Sequence, residues 1–285
     1  MQTQIYEFKE GNKPILLSMP HVGTQLPDDI RPHLTEDAKK LPDTDWHLDR
    51  LYDFADELGL HIIKPNYSRY VVDLNRYIDG AALYPSANNT ELCPLTTFDF
   101  LPIYRKGFHL TDEEIQQRIN NYWLPYHTKI QQMLGKLKQR YGIAVLFDAH
   151  SIRSQVPRFF TGSLPELNIG TYDGKSCALE LGQMVNHILS QQAAHAVVLN
   201  ERFKGGYITR AYGNPANNIH SIQLEISQKI YMQETFPYRY EEDKAASVKN
   251  LLRTMLRHIV AWVDKQQVDK EKVDKEQVDK NADSQ

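Results

Sequence analysis

Cysteine is scarce: Cys93 and Cys177 are the only two in 285 residues. Two thiols cannot build a disulfide framework or a cysteine-rich zinc site, and a reducing, cytoplasmic compartment is the simplest expectation. No apolar run approaches the ~18 residues of a membrane helix, so no membrane partner is expected. The opening segment lacks a basic stretch followed by an apolar run and a small-residue cleavage site, so no signal peptide is expected. Positive charge is not in excess either. The 33 Lys and Arg face 36 Asp and Glu, a formal net charge of −3. Binding phosphates takes a basic surface, which argues against a nucleic-acid partner. The chain has no G-x-S-x-G elbow and no G-x-x-x-x-G-K-[ST] loop. The serine-hydrolase and P-loop readings lose their support.

What remains is an ordinary globular composition, 41% hydrophobic and 24% charged. Residues 1–262 read as a single domain in which strand-like and helix-like segments alternate. The strand candidates are the apolar run before Pro20, His61 to Lys64, Tyr70 to Leu74, Gly142 to Phe147, Ala196 to Leu199 and Ile219 to Glu225. Helical spacing marks Asp45 to Leu58, a long segment towards Arg140, Leu179 to Gln191 and Asp243 to Trp262. Thr111 and Glu114 form a capping box, and Pro125 predicts a kink or break. Alternation of this kind predicts an α/β sandwich with a largely parallel sheet. Residues 263–285 repeat Val-Asp-Lys every five residues. A step of five walks around a helix instead of building one face, so this tail reads as a solvated extension, frayed, disordered or briefly helical.

Ligands on such sheets sit at the carboxyl ends of strands. His21, the Asp73-Leu-Asn75-Arg76 run, Asp148-Ala-His150 and Glu225 all fall at predicted strand ends. Metal-assisted hydrolysis wants such a set: nitrogen and carboxylate ligands, an open position for water, and a nearby carboxylate to shuttle the proton. His21 and His150 are the first two ligand candidates. Asp45 is the preferred third, with Asp43, His47 and Asp49 as alternatives. Glu225 is the candidate base, and Asp148 could orient His150. Each has a plainer reading, as a hydrogen-bonded histidine, a loop cap or a surface ion pair. Arg76 offers a fork for a carboxylate or an oxyanion, or is a surface arginine paired with Asp73 or Asp79. The segment from Arg202 to Gly213 combines Gly205 and Gly206 with Lys204, Thr209 and Arg210, which suits an anionic small molecule or a plain turn. Arg153 and Arg158 could face the same mouth. Cys177 lacks an evident base partner for a nucleophilic role.

Several of these motifs together resemble the N-formylglutamate deformylase (N-formylglutamate amidohydrolase) family. They are Pro20-His-Val-Gly23, Asp43-Thr-Asp-Trp-His47 with Leu51-Tyr-Asp-Phe54, Ser68 to Arg76, Leu92-Cys-Pro94, Asp148 to Arg153, Gly174 to Cys177, Phe203 to Arg210 and Gln223-Leu-Glu225. The likeness runs from about Ile15 to about Trp262. It implies a three-layer, zinc-peptidase-like (phosphorylase/hydrolase-like) fold. It also implies hydrolysis of N-formyl-L-glutamate to formate and L-glutamate at the end of a histidine-degradation branch. The more distant aspartoacylase and carboxypeptidase group implies metal-ligand roles for His21 and His150, a catalytic role for Glu225, and a match of its Asp-Leu-Asn-Arg to Asp73–Arg76. Those relatives carry His-x-x-Glu, and Thr24 stands where their glutamate would be, so Asp45 rests on the residue reading. The expected cofactor is Zn2+ or another divalent transition metal. The expected partner is a dianionic acyl amino acid, with Arg76 on the oxyanion and Asn75, Arg69, Arg153, Lys204, Thr209 and Arg210 as substrate-binding candidates. The competing expectations are hydrolysis of a related N-acetyl or N-formimidoyl substrate and metal-dependent binding without turnover.

Overall fold

The computed structural model describes residues 4–81, 83, 88–192 and 194–282, with the backbone alone for 192 and 269–282. Among these, seven strands form one sheet: β1 Tyr6–Lys9, β2 Ile15–Ser18, β3 His61–Pro65, β4 Ala144–Ile152, β5 Leu167–Gly170, β6 Val197–Leu199 and β7 Ile219–Ser227. Their order is β1-β3-β2-β4-β7-β5-β6. The strands β3, β2, β4 and β7 run parallel, as do β5 and β6, while β1 and β5 pair antiparallel with β3 and β7. The fold is therefore α/β on a mixed, largely parallel sheet.

Side chains alternate along each strand, so every strand feeds two cores. Ile15, Leu17, Val145, Phe147, Ile222 and Leu224 join one core. Helices α4 (Leu179–Gln192) and α6 (Glu242–Ala282) cover it, supplying Leu181, Val185, Leu252 and Ile259. Leu16, Ala144 and Leu146 join the other core beneath α3 (Leu124–Tyr141). The same alternation sets the polar ends. Ser18 pairs with Asp148, Asp148 with Gln223, and His150 with Glu225. These residues share the face opposite Phe147 and Leu224, gathered at the carboxyl ends of the three central strands.

Two segments differ from the sequence expectation. Asp45 to Leu58 is helical only at α1 (Leu48–Leu51), after which bonds such as Ala55 N–H to Tyr52 O and Gly59 N–H to Asp56 O make tight turns. The helical spacing there reports burial: Leu48, Leu51, Tyr52, Phe54 and Ala55 all enter the core. Tyr70 to Leu74 is a turn, not a strand. Arg69 and Asp73 form an ion pair at 2.5 Å, which an extended segment would hold about 13 Å apart at ~3.3 Å per residue. The segment also divides its apolar side chains between two cores, Val72 and Leu74 in one and Tyr70 and Val71 in another.

The helix expected after Thr111 forms as α2 (Asp112–Arg118), a π-type turn at Ile119–Trp123, and α3. The break falls just before Pro125, whose missing N–H cannot serve an uninterrupted ladder. Thr111 and Glu114 exchange both bonds of the capping box. Thr111→Ala is expected to cost about 1 kcal/mol in urea denaturation while leaving activity unchanged. α6 continues into the repeat, with Val263 still buried and Val268 half exposed. The repeat's side chains beyond Val268, and residues 283–285, lie outside the described residues.

Candidate active site

His21 lies just past β2, where its carbonyl accepts the backbone N–H of Asp45 at 3.1 Å. His150 projects from the end of β4. Both imidazoles turn Nδ1 towards Asp45 Oδ2, at 3.8 Å from His21 and 3.3 Å from His150. One ligand atom from each residue lies within 4.8 Å of the others, and all three residues are buried. Each Nε2 meets a buried carboxylate, His21 to Asp73 at 2.8 Å and His150 to Asp148 at 2.9 Å. A carboxylate that takes the Nε2 hydrogen leaves the Nδ1 lone pair facing inward, the state a metal ligand needs. Ser151 N–H donates to Asp45 Oδ2 at 3.1 Å and helps fix the third arm.

The charges balance poorly without a cation. Asp45, Asp73, Asp148 and Glu225 are all buried here beside Arg69, whose Nη2 donates to Asp73 Oδ2 at 2.5 Å. Burial, together with Arg69, keeps the His21 pKa below its ordinary value. Burial works the same way on His150, but Asp148, Asp45 and Glu225 outweigh it and hold that pKa well above the ordinary value. Asp73 shows the opposite balance: burial opposes its charge, yet Arg69 and His21 hold its carboxyl well below the usual range. Burial, with Asp45 and Asp148 adding like charge, pushes the Glu225 carboxyl up to about 8. A carboxyl tuned into that range can both take and return a proton near neutral pH.

The structure gives the alternatives for the third ligand different surroundings. Asp43 Oδ2 accepts from Tyr70 Oη at 2.7 Å and from Phe98 N–H at 2.9 Å, and burial pushes its pKa up to about 6. His47 Nε2 donates to Tyr238 O at 2.6 Å. Asp49 pairs with Lys64 at the surface at 3.0 Å. Asp45 is the one that meets both histidines.

His21, Asp45, His150 and Glu225 line one cavity. Of the sequence candidates, Arg69, Asn75 and Arg76 are on its wall. Arg76 is fixed there by bonds to Thr90 O, Thr90 Oγ1 and Asn75 O. Arg153, Lys204, Thr209 and Arg210 are not on that wall. Arg153 pairs with Asp99 at 2.9 Å, Lys204 with Asp173 at 3.1 Å, Thr209 is buried, and Arg210 donates to Gly205 O and Leu83 O. The glycine loop acts by close approach. Gly205 has φ +117, and a Cβ on Gly206 would sit 2.2 Å from Asn75 Nδ2. Gly206 N–H donates to Gln223 Oε1 and Ile208 N–H to Asn75 Oδ1, each at 2.8 Å.

Sequence reasoning missed Arg202, Gln223, Asn88, Asn89, Phe98, Phe159 and Phe203 on the wall. Gln223 was within reach, since it stands two positions before Glu225 and so faces the same way. Arg202 lies in the cationic loop but gave no sign of which cation would turn inward. A support was missed too. From α3 and the turn before it, His127 Nε2 donates to Leu74 O at 2.8 Å and Trp123 Nε1 to Arg76 O at 3.2 Å. They hold the carbonyls on both sides of Asn75. Burial pushes the His127 pKa down to about 3, so this donor stays neutral.

Comparison with known proteins finds a family model and full-length relatives. The family model "N-formylglutamate amidohydrolase" matches residues 13–232. The N-formylglutamate deformylase of Pseudomonas putida is 43% identical over 259 residues, 91% of this chain and 97% of that protein. The N-formylglutamate deformylase of Pseudomonas aeruginosa is 45% identical over the same shares. The crystal structure of N-formylglutamate amidohydrolase from Ralstonia eutropha superposes with TM-score 0.79 and 25% identity, covering 92% of this chain and 99% of that one. A gene product of Agrobacterium tumefaciens shares the fold at TM-score 0.70 and 16% identity, over 92% and 96% of the two chains. The chain belongs to the N-formylglutamate amidohydrolase family.

Proposed function

We propose that this protein hydrolyses N-formyl-L-glutamate to formate and L-glutamate, with a divalent metal held by His21, Asp45 and His150. The observation that carries this reading is the buried His-Asp-His cluster with Glu225 on the wall of the same cavity. The donor set fits a metal: two imidazole nitrogens with their far sides on carboxylates, one carboxylate oxygen, and a surplus of buried negative charge. Zinc is the first choice, and iron, cobalt or manganese suits the same donors. The zinc-peptidase-like ancestry of the fold, a place at the end of histidine degradation and a cytoplasmic setting belong to the same reading. Two buried free cysteines support a reducing compartment, and no helix among the described residues is long and apolar enough to cross a membrane.

A divalent ion, when bound, supplies Lewis-acid polarisation of the formyl carbonyl and of the attacking water. Glu225 takes the proton that the water loses and delivers it to the leaving amine nitrogen as the C–N bond breaks. Arg76, fixed on the wall, stabilises negative charge developing on the carbonyl oxygen. Asn75 holds its place beside His150 Nε2 at 3.2 Å. The two carboxylates of the substrate need cations on the cavity wall. Arg69 is committed to Asp73. Arg202, on that wall beside the rings of Phe159 and Phe203, is the cation we assign to the distal carboxylate.

A substrate panel tests this reading and Arg202 together. The metal-loaded protein is expected to release formate from N-formylglutamate and to favour it over the N-acetyl and N-formimidoyl compounds. Arg202→Gln is expected to raise KM by about 10- to 100-fold with little change in kcat, the size of one lost charge-assisted hydrogen bond. Preference for another acyl group would reassign the substrate, and tight binding without turnover would make the protein a binder.

A further inference from the structure

The loop that carries Asp45 is not held by regular secondary structure. Asp45 comes before α1, and His47 beside it has φ +61. Something else must keep the Asp45 carboxylate turned towards both histidines. The holders lie at the far end of β7, just past Glu225. Gln228 Nε2 donates to Thr44 O at 2.9 Å. Tyr231 Oη donates to Trp46 O at 2.9 Å. The carbonyls on either side of Asp45 are thus both gripped from one short segment.

Ser151 closes the arrangement. Its hydroxyl shares a hydrogen bond with Tyr231 Oη at 2.7 Å and lies 3.4 Å from Gln228 Nε2. Its backbone N–H is the one that donates to Asp45 Oδ2. Thr44, Asp45, Ser151, Gln228 and Tyr231 are all buried, so water cannot replace a lost partner without entering the core. Ser151 also follows His150 directly, and Gln228 follows Glu225 by three residues on the same chain segment.

We propose that Gln228 and Tyr231 are positioning residues for the metal site. They fix the Asp45 arm against the two histidine arms and tie its position to the strand that carries Glu225. This inference rests on the metal-binding reading above. It goes further by naming residues that neither supply a ligand atom nor line the cavity themselves.

The test is equilibrium Zn2+ affinity, measured by competition with a chromophoric chelator on metal-free protein. Tyr231→Phe keeps the ring and removes both hydroxyl bonds. Gln228→Ala removes the grip on Thr44. Each is expected to weaken Zn2+ binding about 10-fold, and the pair together by up to about 100-fold, the range seen when the supports of metal ligands are removed. Ser176→Ala serves as the comparison, because Ser176 Oγ donates to Ser221 O at 2.7 Å near the opposite end of β7. It is expected to lower thermal stability while leaving Zn2+ affinity unchanged. Parent protein that binds Zn2+ tightly, with Tyr231→Phe and Gln228→Ala binding it equally well, overturns this inference and leaves the metal reading intact. The positioning role falls too if Ser176→Ala weakens binding as much as they do, since the effect is then general loosening. Parent protein that does not bind Zn2+ overturns both.

Discussion

Glu225→Gln is expected to lower kcat for formate release by about 10³-fold, within the range that a positioned acid or base contributes, while KM changes little. The amide is nearly isosteric and can still occupy its place opposite His150 in the strand register. It can neither accept the proton of the attacking water nor hand one to the leaving amine. Metal content by atomic emission should stay at the parent level, because Glu225 lies outside the His21, Asp45 and His150 cluster. That pairing of results separates a proton shuttle from a ligand. Equal loss of metal and activity would make Glu225 part of the ligand set. Unchanged kcat would remove it from the chemistry.

The position of Glu225 was legible because strands announce themselves. An apolar alternation from Ile219 ending in Gln-Leu-Glu puts a carboxylate at a strand's carboxyl end, and the parallel sheet makes that end the site. His150 was legible for the same reason, though β4 runs on to Ile152 and holds His150 inside the strand. The turn at Tyr70 to Leu74 was not legible as a turn. Its β-branched and aromatic residues look like a strand, but the turn bond from Val71 N–H to Ser68 O and the Arg69–Asp73 ion pair hold it bent as it packs against two cores. The short β1 and β5 strands, four residues each, carry too little pattern to stand out. The cations were the least legible part. Arg153, Lys204, Arg210 and Arg202 look alike as charges in loops. Which one faces the cavity depends on side-chain directions fixed by Asp99, Asp173 and the Phe159 and Phe203 rings.

Asp45→Ala is expected to lower metal affinity by more than the 10- to 100-fold that loss of an outer support costs, and to leave no measurable formate release at stoichiometric Zn2+. Asp45 is the point where the two imidazoles converge. Without it, His21 and His150 offer two nitrogens and no carboxylate to complete a three-ligand catalytic site. Its neighbours supply the contrast. Asp49→Asn removes a carboxylate, 44% exposed, that pairs with Lys64 at the surface, and such pairs contribute roughly 0 to 1 kcal/mol, so metal affinity and kcat should match the parent. His47→Ala removes the bond to Tyr238 O and should leave the ligand set in place. Asp43→Asn removes a buried charge bonded to Tyr70 and Phe98, which should show first in stability. Four variants in one short segment, measured for metal affinity and for turnover, thus isolate the third ligand. Metal retained in Asp45→Ala and lost in His47→Ala or Asp43→Asn would move that role to the neighbour, since only the residue whose side chain meets both Nδ1 atoms can close the site.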